Sequence, residues 1–146
     1  MPVSARKSSR TRFLLLPIVC ALLALCACAR PPTPQKQLIV WQTLGSWSGQ
    51  GNVQTESFIS GTGGLRVRWE TKHETTPGAG IFKLTINSAI SGRPIGVAVD
   101  RRGPGRDTAY LSDDPRTYYA VVESSNVDWS FTIEEGLSGT VEDGTK

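Results

Sequence analysis

The chain has 146 residues, three cysteines, one histidine and a formal charge of +3. Residues 28–146 hold 12 basic and 13 acidic side chains; the basic pI therefore belongs to the N-terminus and does not point to nucleic acid. Every cysteine lies at or before position 28, which excludes a disulfide scaffold, thiol catalysis and a thiolate zinc site in the body, and the lone His73 excludes a metal held by several histidines.

Residues 1–12 carry Arg6, Lys7, Arg10 and Arg12 and no acid, and residues 13–27 read F-L-L-L-P-I-V-C-A-L-L-A-L-C-A. A basic start, an apolar run of about 15 residues and small residues at its close make a secretory signal. The run is shorter than the roughly 20 residues of a membrane span. Leu25-Cys26-Ala27-Cys28 resembles the lipobox of bacterial lipoproteins. That resemblance implies a signal peptide of residues 1–27, cleavage before Cys28 and a lipid, of the palmitate kind, on the Cys28 thiol. Cys26 departs from the alanine, serine or threonine usual at its position, so ordinary cleavage after Ala27-Cys28-Ala29 stands as the alternative and would free the protein into the medium. Residues 28–37 follow as the lipidated cysteine and a tether, P-P-T-P-Q-K-Q, whose prolines favour extended polyproline II. The implied location is a membrane surface facing the periplasm or the cell exterior.

From residue 38 the apolar period is two, the period of strands. Residues 38–44 and 53–59 read as strands separated by Gly45 to Asn52. In Leu65 to Lys72, Leu65, Val67 and Trp69 alternate with Arg66, Arg68, Glu70 and Lys72, a half-buried strand with a wet outer face. Residues 81–89 place Phe82, Leu84 and Ile86 on one face, and residues 95–100 do the same with Ile95, Val97 and Val99. Residues 108–111 form a short strand, and residues 117–123 are apolar on both faces. Trp129, Phe131 and Ile133 alternate with polar residues in the last strand. The connections are rich in glycine and proline, which supply positive φ and fixed bends. About eight short antiparallel strands predict an all-β sandwich of jelly-roll type over residues 38–135. Residues 136–146 are polar and glycine-rich and read as a flexible tail.

The order of features in residues 45–135 resembles a small domain recurrent in bacterial exported proteins. Ser48-Gly49-Gln50-Gly51 precedes a strand ending in Phe58, and a tryptophan strand follows at Trp69. Gly80-Ile81-Phe82, Tyr118 to Val122 and Trp129 to Ile133 complete the order. The likeness extends loosely to the pre-peptidase C-terminal type of β-sandwich. It implies an accessory or binding module with no chemistry of its own and carries over no catalytic residue or cofactor.

Several residues are candidates for a site. Arg101, Arg102 and Arg106 lie in D-R-R-G-P-G-R-D with Asp107 beside them. Glycine-exposed N–H groups and guanidiniums suit an anionic ligand, and a solvated hairpin tip is the plainer account. Asp113 and Asp114 in S-D-D-P-R are weak calcium candidates, because calcium wants six to eight oxygens and Asp before Pro is ordinary turn chemistry. Trp69 and Trp129 fall on core faces. Trp41 and Trp47 are not fixed by alternation, and Trp47 beside Ser48 and Gly49 is a possible sugar platform. His73 adjoins Glu74, but neighbours along a strand point apart, and no G-x-S-x-G elbow is present. A pair of carboxylates brought together by the fold stays open as the one enzymatic route. The G-x-G pairs at Gly49/Gly51 and Gly103/Gly105 lack the following helix of a phosphate loop.

Together these features predict a membrane-anchored lipoprotein with a non-catalytic β-sandwich that binds a glycan, another envelope protein or a small ligand. A purely structural or assembly role in the envelope is the alternative, and a hydrolase follows behind both. Mass spectrometry of the mature N-terminus from membranes is expected to find an acylated Cys28; a free N-terminus at Arg30 in the medium would refute the anchor.

Overall fold

A computed structural model describes residues 37–140; the signal segment, Cys28, the tether as far as Lys36 and residues 141–146 lie outside the described residues. The described chain is nine strands without a helix: β1 Gln37–Gln50, β2 Val53–Gln54, β3 Phe58–Ser60, β4 Gly64–Lys72, β5 Ile81–Ser88, β6 Pro94–Arg102, β7 Gly105–Ser112, β8 Arg116–Ser125 and β9 Asp128–Thr140. All pairings are antiparallel. Sheet A runs β1-β9-β4-β7 and sheet B runs β2-β8-β5-β6, with β3 also on β8. The protein is an all-β sandwich of two antiparallel sheets. Most connections leave one sheet and enter the other, so strands adjacent in sequence rarely pair. The β5–β6 hairpin is the main exception.

The core follows the inward positions that alternation marks in β4, β5 and β9; in β6 it does not, because register shifts against β5 interrupt the pairing and leave Val97 53% exposed while Val99 is buried. Leu65 and Val67 of β4 and Trp129, Phe131 and Ile133 of β9 face Phe82, Leu84 and Ile86 of β5 and Tyr118, Ala120 and Val122 of β8. Burying each large apolar side chain contributes about 1.5–3 kcal/mol. An aromatic series runs through this layer: Trp47 stacks on Phe131, Phe131 meets Trp129, and Trp129 stacks on Phe82, which meets Trp69. Such contacts add roughly 0.5–1.5 kcal/mol each beyond area. The indole N–H of Trp129 donates to the Gly51 carbonyl at 3.0 Å, so its one polar atom is satisfied inside the core.

Three further expectations are corrected. Gly45 to Asn52 is not wholly a connection, because β1 runs on through Gln50. A register shift between Thr43 and Gly45 interrupts its pairing with β9. One extra residue turns alternation over, so Trp41 and Trp47 lie on opposite faces although their positions differ by six, an even step. Trp47 faces inward against Phe58 and Phe131 and is no sugar platform. The second correction concerns the tail. Residues 136–140 continue β9 and pair with Gln37 to Trp41; their backbone N–H and C=O groups find partners there despite the polar side chains. The expected strand 53–59 is instead the two short pieces β2 and β3, which explains nine strands where about eight are read.

Gly45 makes the bulge possible. A Cβ there would lie 2.2 Å from the Trp47 ring. Gly45→Ala is expected to destabilise the fold by about 1–3 kcal/mol through overpacking, read as a lower urea midpoint by tryptophan fluorescence; an unchanged midpoint would show that Trp47 repacks freely.

Candidate functional site

The outward side chains of sheet A form a regular grid, because each strand contributes every second residue. One row is Thr43, Glu134, Arg66 and Tyr110, paired in that order across β1, β9, β4 and β7. The next row is Ser46, Thr132, Arg68 and Thr108. A third is Ser48, Ser130, Glu70 and Arg106. The two later rows carry only hydroxyls on β1 and β9, flanked by the longer Arg68 and Glu70 on β4 and by Thr108 and Arg106 on β7. Short beside long leaves a trough of about 530 Å³. Ser46 Oγ and Thr132 Oγ1 lie 2.9 Å apart on its floor.

Beside the trough, the first row of the grid and the residues next to it carry aromatic side chains. Trp41 packs flat over Gly136, where a Cβ would come within 3.3 Å of its ring. The Arg66 guanidinium carbon sits 4.3 Å from the centroid of Trp41, within cation–π range. The Tyr110 ring stands 5.9 Å from Trp41 and is 66% exposed. Glu134, only 5% exposed, anchors this row. Its carboxylate accepts from Arg66 Nε at 2.6 Å and from Arg68 Nε and Nη2 at 3.2 and 3.1 Å. Burial pushes its carboxyl up, but the hydrogen bonds and charges of Arg66 and Arg68 outweigh that and hold it below the ordinary 4.5. Arg66 is in turn raised by its hydrogen bond to Glu134.

On the opposite side of the trough the groups pair with one another. Lys72 and Glu70 form an ion pair at 2.9 Å. Asp128 accepts from Gln50 Nε2 at 2.5 Å and meets His73 Nδ1 at 2.7 Å. The hydrogen bond from His73, then that from Gln50, lowers the Asp128 carboxyl. His73 takes positive φ just after β4, so its ring swings to Asp128 and away from Glu74. Glu74 instead accepts from the Gly80 N–H at 2.8 Å and holds the β4–β5 connection. Arg106 has no ion-pair partner among the described residues.

The arginine-rich segment is placed but not gathered. Arg101 and Arg102 close β6 in sheet B, while Arg106 and Asp107 open β7 in sheet A. Gly103, with φ of 72°, turns the chain between the sheets. Arg101 and Arg102 are successive strand residues and point to opposite faces. The Arg101 guanidinium lies over Gly105, 3.2 to 3.4 Å from where a Cβ would stand. Asp107 turns from Arg106 and accepts from the Thr108 N–H at 2.7 Å. Of the four, Arg106 presents its side chain to the trough.

Asp113 and Asp114 form a corner with Arg116 and Tyr118. The Tyr118 hydroxyl donates to the Asp114 carbonyl at 2.5 Å and to Asp113 Oδ2 at 3.2 Å. Arg116 Nε lies 2.9 Å from the same Asp113 oxygen. This is the tyrosine-corner arrangement of β-sandwiches. Burial, then the Asp113 charge, pushes the Tyr118 hydroxyl up to about 12. The Asp113 carboxylate is thus engaged inside the corner. No group of three or more His, Cys, Asp or Glu among the described residues is placed to hold a metal ion. Cys28 lies outside the described residues. No protein-family model matches the chain, and no curated protein matches it.

The polar halves of β4 and β9 are visible in the sequence as the residues between the apolar ones. Their union with Ser46 and Ser48 is not, because those two serines read as a loop. Glu134 stabilises the fold only while ionised. Its folded carboxyl titrates below the unfolded one, so its contribution is present above 4.5 and is lost as pH falls through the lower folded value. Glu134→Gln is expected to cost about 2 kcal/mol at neutral pH. The gap to wild type should close on acidification, as followed by urea unfolding; a gap independent of pH would refute the ionic role.

Proposed function

We propose that the protein is an exported, lipid-anchored binding module that holds an envelope component on the outer face of sheet A. The observation that carries this reading is the trough of about 530 Å³ floored by Ser46, Ser48, Ser130 and Thr132. A concave surface with a few convergent polar groups is the usual form of a ligand site, and an open sheet face suits an extended ligand. Binding without chemistry is supported by the way the nearby ionisable groups are engaged: Glu134 by two arginines, Glu70 by Lys72 and Asp128 by His73 and Gln50. Such groups position one another and stabilise the face. The lipobox resemblance at Leu25 to Cys28 supports the anchor, and the proline-rich tether gives the domain reach from a bilayer.

A structural or assembly role is the second reading. It is favoured by β1, which is the outermost strand of sheet A among the described residues and where Leu38, Ile39 and Val40 are exposed, Ile39 to 62%. An exposed apolar edge is a template for pairing with another strand.

The test fills the trough. Ser48→Arg together with Ser130→Arg places two long side chains on its floor without touching the core. Detergent-solubilised full chain is incubated with washed envelope polymer and sedimented. Wild type is expected to be retained and the filled variant to be released, with at least a tenfold fall in the bound fraction. Equal retention of both would overturn the outer face as the binding surface.

A further inference from the structure

We infer that the outer face of sheet A takes a carboxylate-bearing polysaccharide, a chain of uronic-acid type, lying along the trough toward Arg106 and reaching the Trp41–Tyr110 pair beside it. This rests on the reading of the trough as the binding face and names the ligand class.

Three observations converge on that chemistry. The first is the floor. Serine and threonine hydroxyls both donate and accept, and Ser46 and Thr132 hydrogen-bond each other at 2.9 Å, which leaves each with capacity for a further partner. A sugar presents the same dual groups in rows along its ring. A peptide added as a strand would pair through its backbone, and the backbone groups of β1 and β9 beneath the floor are already paired with each other.

The second is the aromatic pair. Tyr110 is exposed and its ring is held against Trp41, which in turn is held by Arg66 and by the missing side chain at Gly136. A rigid aromatic with an apolar face and a polar tip covers the C–H face of a sugar at little entropic cost. Tyr110 and Arg106 lie on the same face of β7, four residues apart, which is about 13 Å along the strand. That distance spans a short oligosaccharide.

The third is charge. Arg66 and Arg68 share the single carboxylate of Glu134, and Arg106 has no ion-pair partner among the described residues. The lining thus presents two guanidiniums in adjacent rows of the grid, Arg68, which shares Glu134 with Arg66, and Arg106, which is unpaired among the described residues, alongside the carboxylates of Glu70 and Asp107. Arginine holds a carboxylate by paired, charge-assisted hydrogen bonds. A neutral glycan would leave the Arg106 guanidinium unanswered. A simple anion would not use the aromatic pair or the hydroxyl floor.

The test is isothermal titration of the full-length chain in detergent with three probes: hyaluronate oligosaccharide, polygalacturonate oligosaccharide, and neutral chitin oligosaccharide of matched length. At least one uronate probe is expected to bind at least tenfold tighter than the chitin probe and to weaken as salt rises. Arg106→Gln and Tyr110→Ala are each expected to lower that affinity at least tenfold. Both side chains are exposed, and an unchanged thermal midpoint confirms that the variants fold. Lys83→Gln, on sheet B, is expected to bind as wild type does. Equal binding of the neutral and uronate probes would overturn the carboxylate class while the trough stands as the binding face. Uronate binding that survives both Arg106→Gln and Tyr110→Ala would overturn the placement. No uronate binding, with envelope retention still abolished by Ser48→Arg and Ser130→Arg, would overturn the ligand class alone; loss of that retention difference would overturn the binding face itself.

Discussion

Glu134 and Glu135 are neighbours on β9, point to opposite faces of sheet A, and are both buried, at 5% and 7% exposure. A buried carboxylate is costly unless it is paired or hydrogen-bonded. Each therefore imposes a structure around itself. Glu135 faces inward at the end of the sandwich. One of its oxygens accepts from Ser60 Oγ at 2.9 Å and from the Gly61 and Thr62 N–H groups at 2.8 and 3.3 Å. That oxygen holds the connection by which the chain leaves β3 in sheet B and enters β4 in sheet A. Glu134 faces outward and draws in Arg66 and Arg68. Arg66 in turn steadies Trp41. One strand thus ties the two sheets together at one carboxylate and organises the outer face at the next.

The outer face owes its shape to side-chain length. On β1 and β9 the middle rows carry hydroxyls, on β4 they carry Arg68 and Glu70, and on β7 Thr108 and Arg106. The sheet itself is continuous, so the trough needs no insertion, lid or long loop to form it. Its floor rests on ladder hydrogen bonds and on the aromatic series beneath, Trp47 on Phe131 and Phe131 on Trp129. A site on paired strands over a packed core keeps its geometry better than one on a hairpin tip. The D-R-R-G-P-G-R-D segment illustrates the contrast: as a crossing between sheets it sends its arginines in different directions, and Arg106 alone contributes to the face.

The domain holds together without a disulfide. Its stability comes from inward-facing aromatics and aliphatics, from satisfied buried polar atoms such as the Trp129 indole and the Tyr118 hydroxyl, and from the Glu134 cluster. The Tyr118 corner takes up Asp113 and Asp114 in the same way, as parts of the connection between β7 and β8. Acidic residues that look like ligand donors in a linear reading serve here to close a turn.

Strand period, the inner faces of β4, β5 and β9 and the all-β class were legible in the sequence, because alternation at period two is a local property. Leu65, Val67, Phe82, Leu84, Phe131 and Ile133 could be placed in the core from their neighbours alone. Cysteine positions likewise excluded disulfides and thiol chemistry from the body without any structure. Three things were settled only by the tertiary fold. The bulge between Thr43 and Gly45 reversed the face of Trp41 relative to Trp47, and a one-residue shift in pairing leaves no mark in composition. The run from Gly136 to Thr140 became strand because β1 offered its backbone a partner, which no side chain there announces. The trough arose because residues from positions 46, 68, 106 and 130 were brought into adjacent rows. Register between distant strands is a property of the whole sheet, and a face assembled from four strands exists only once that register is set.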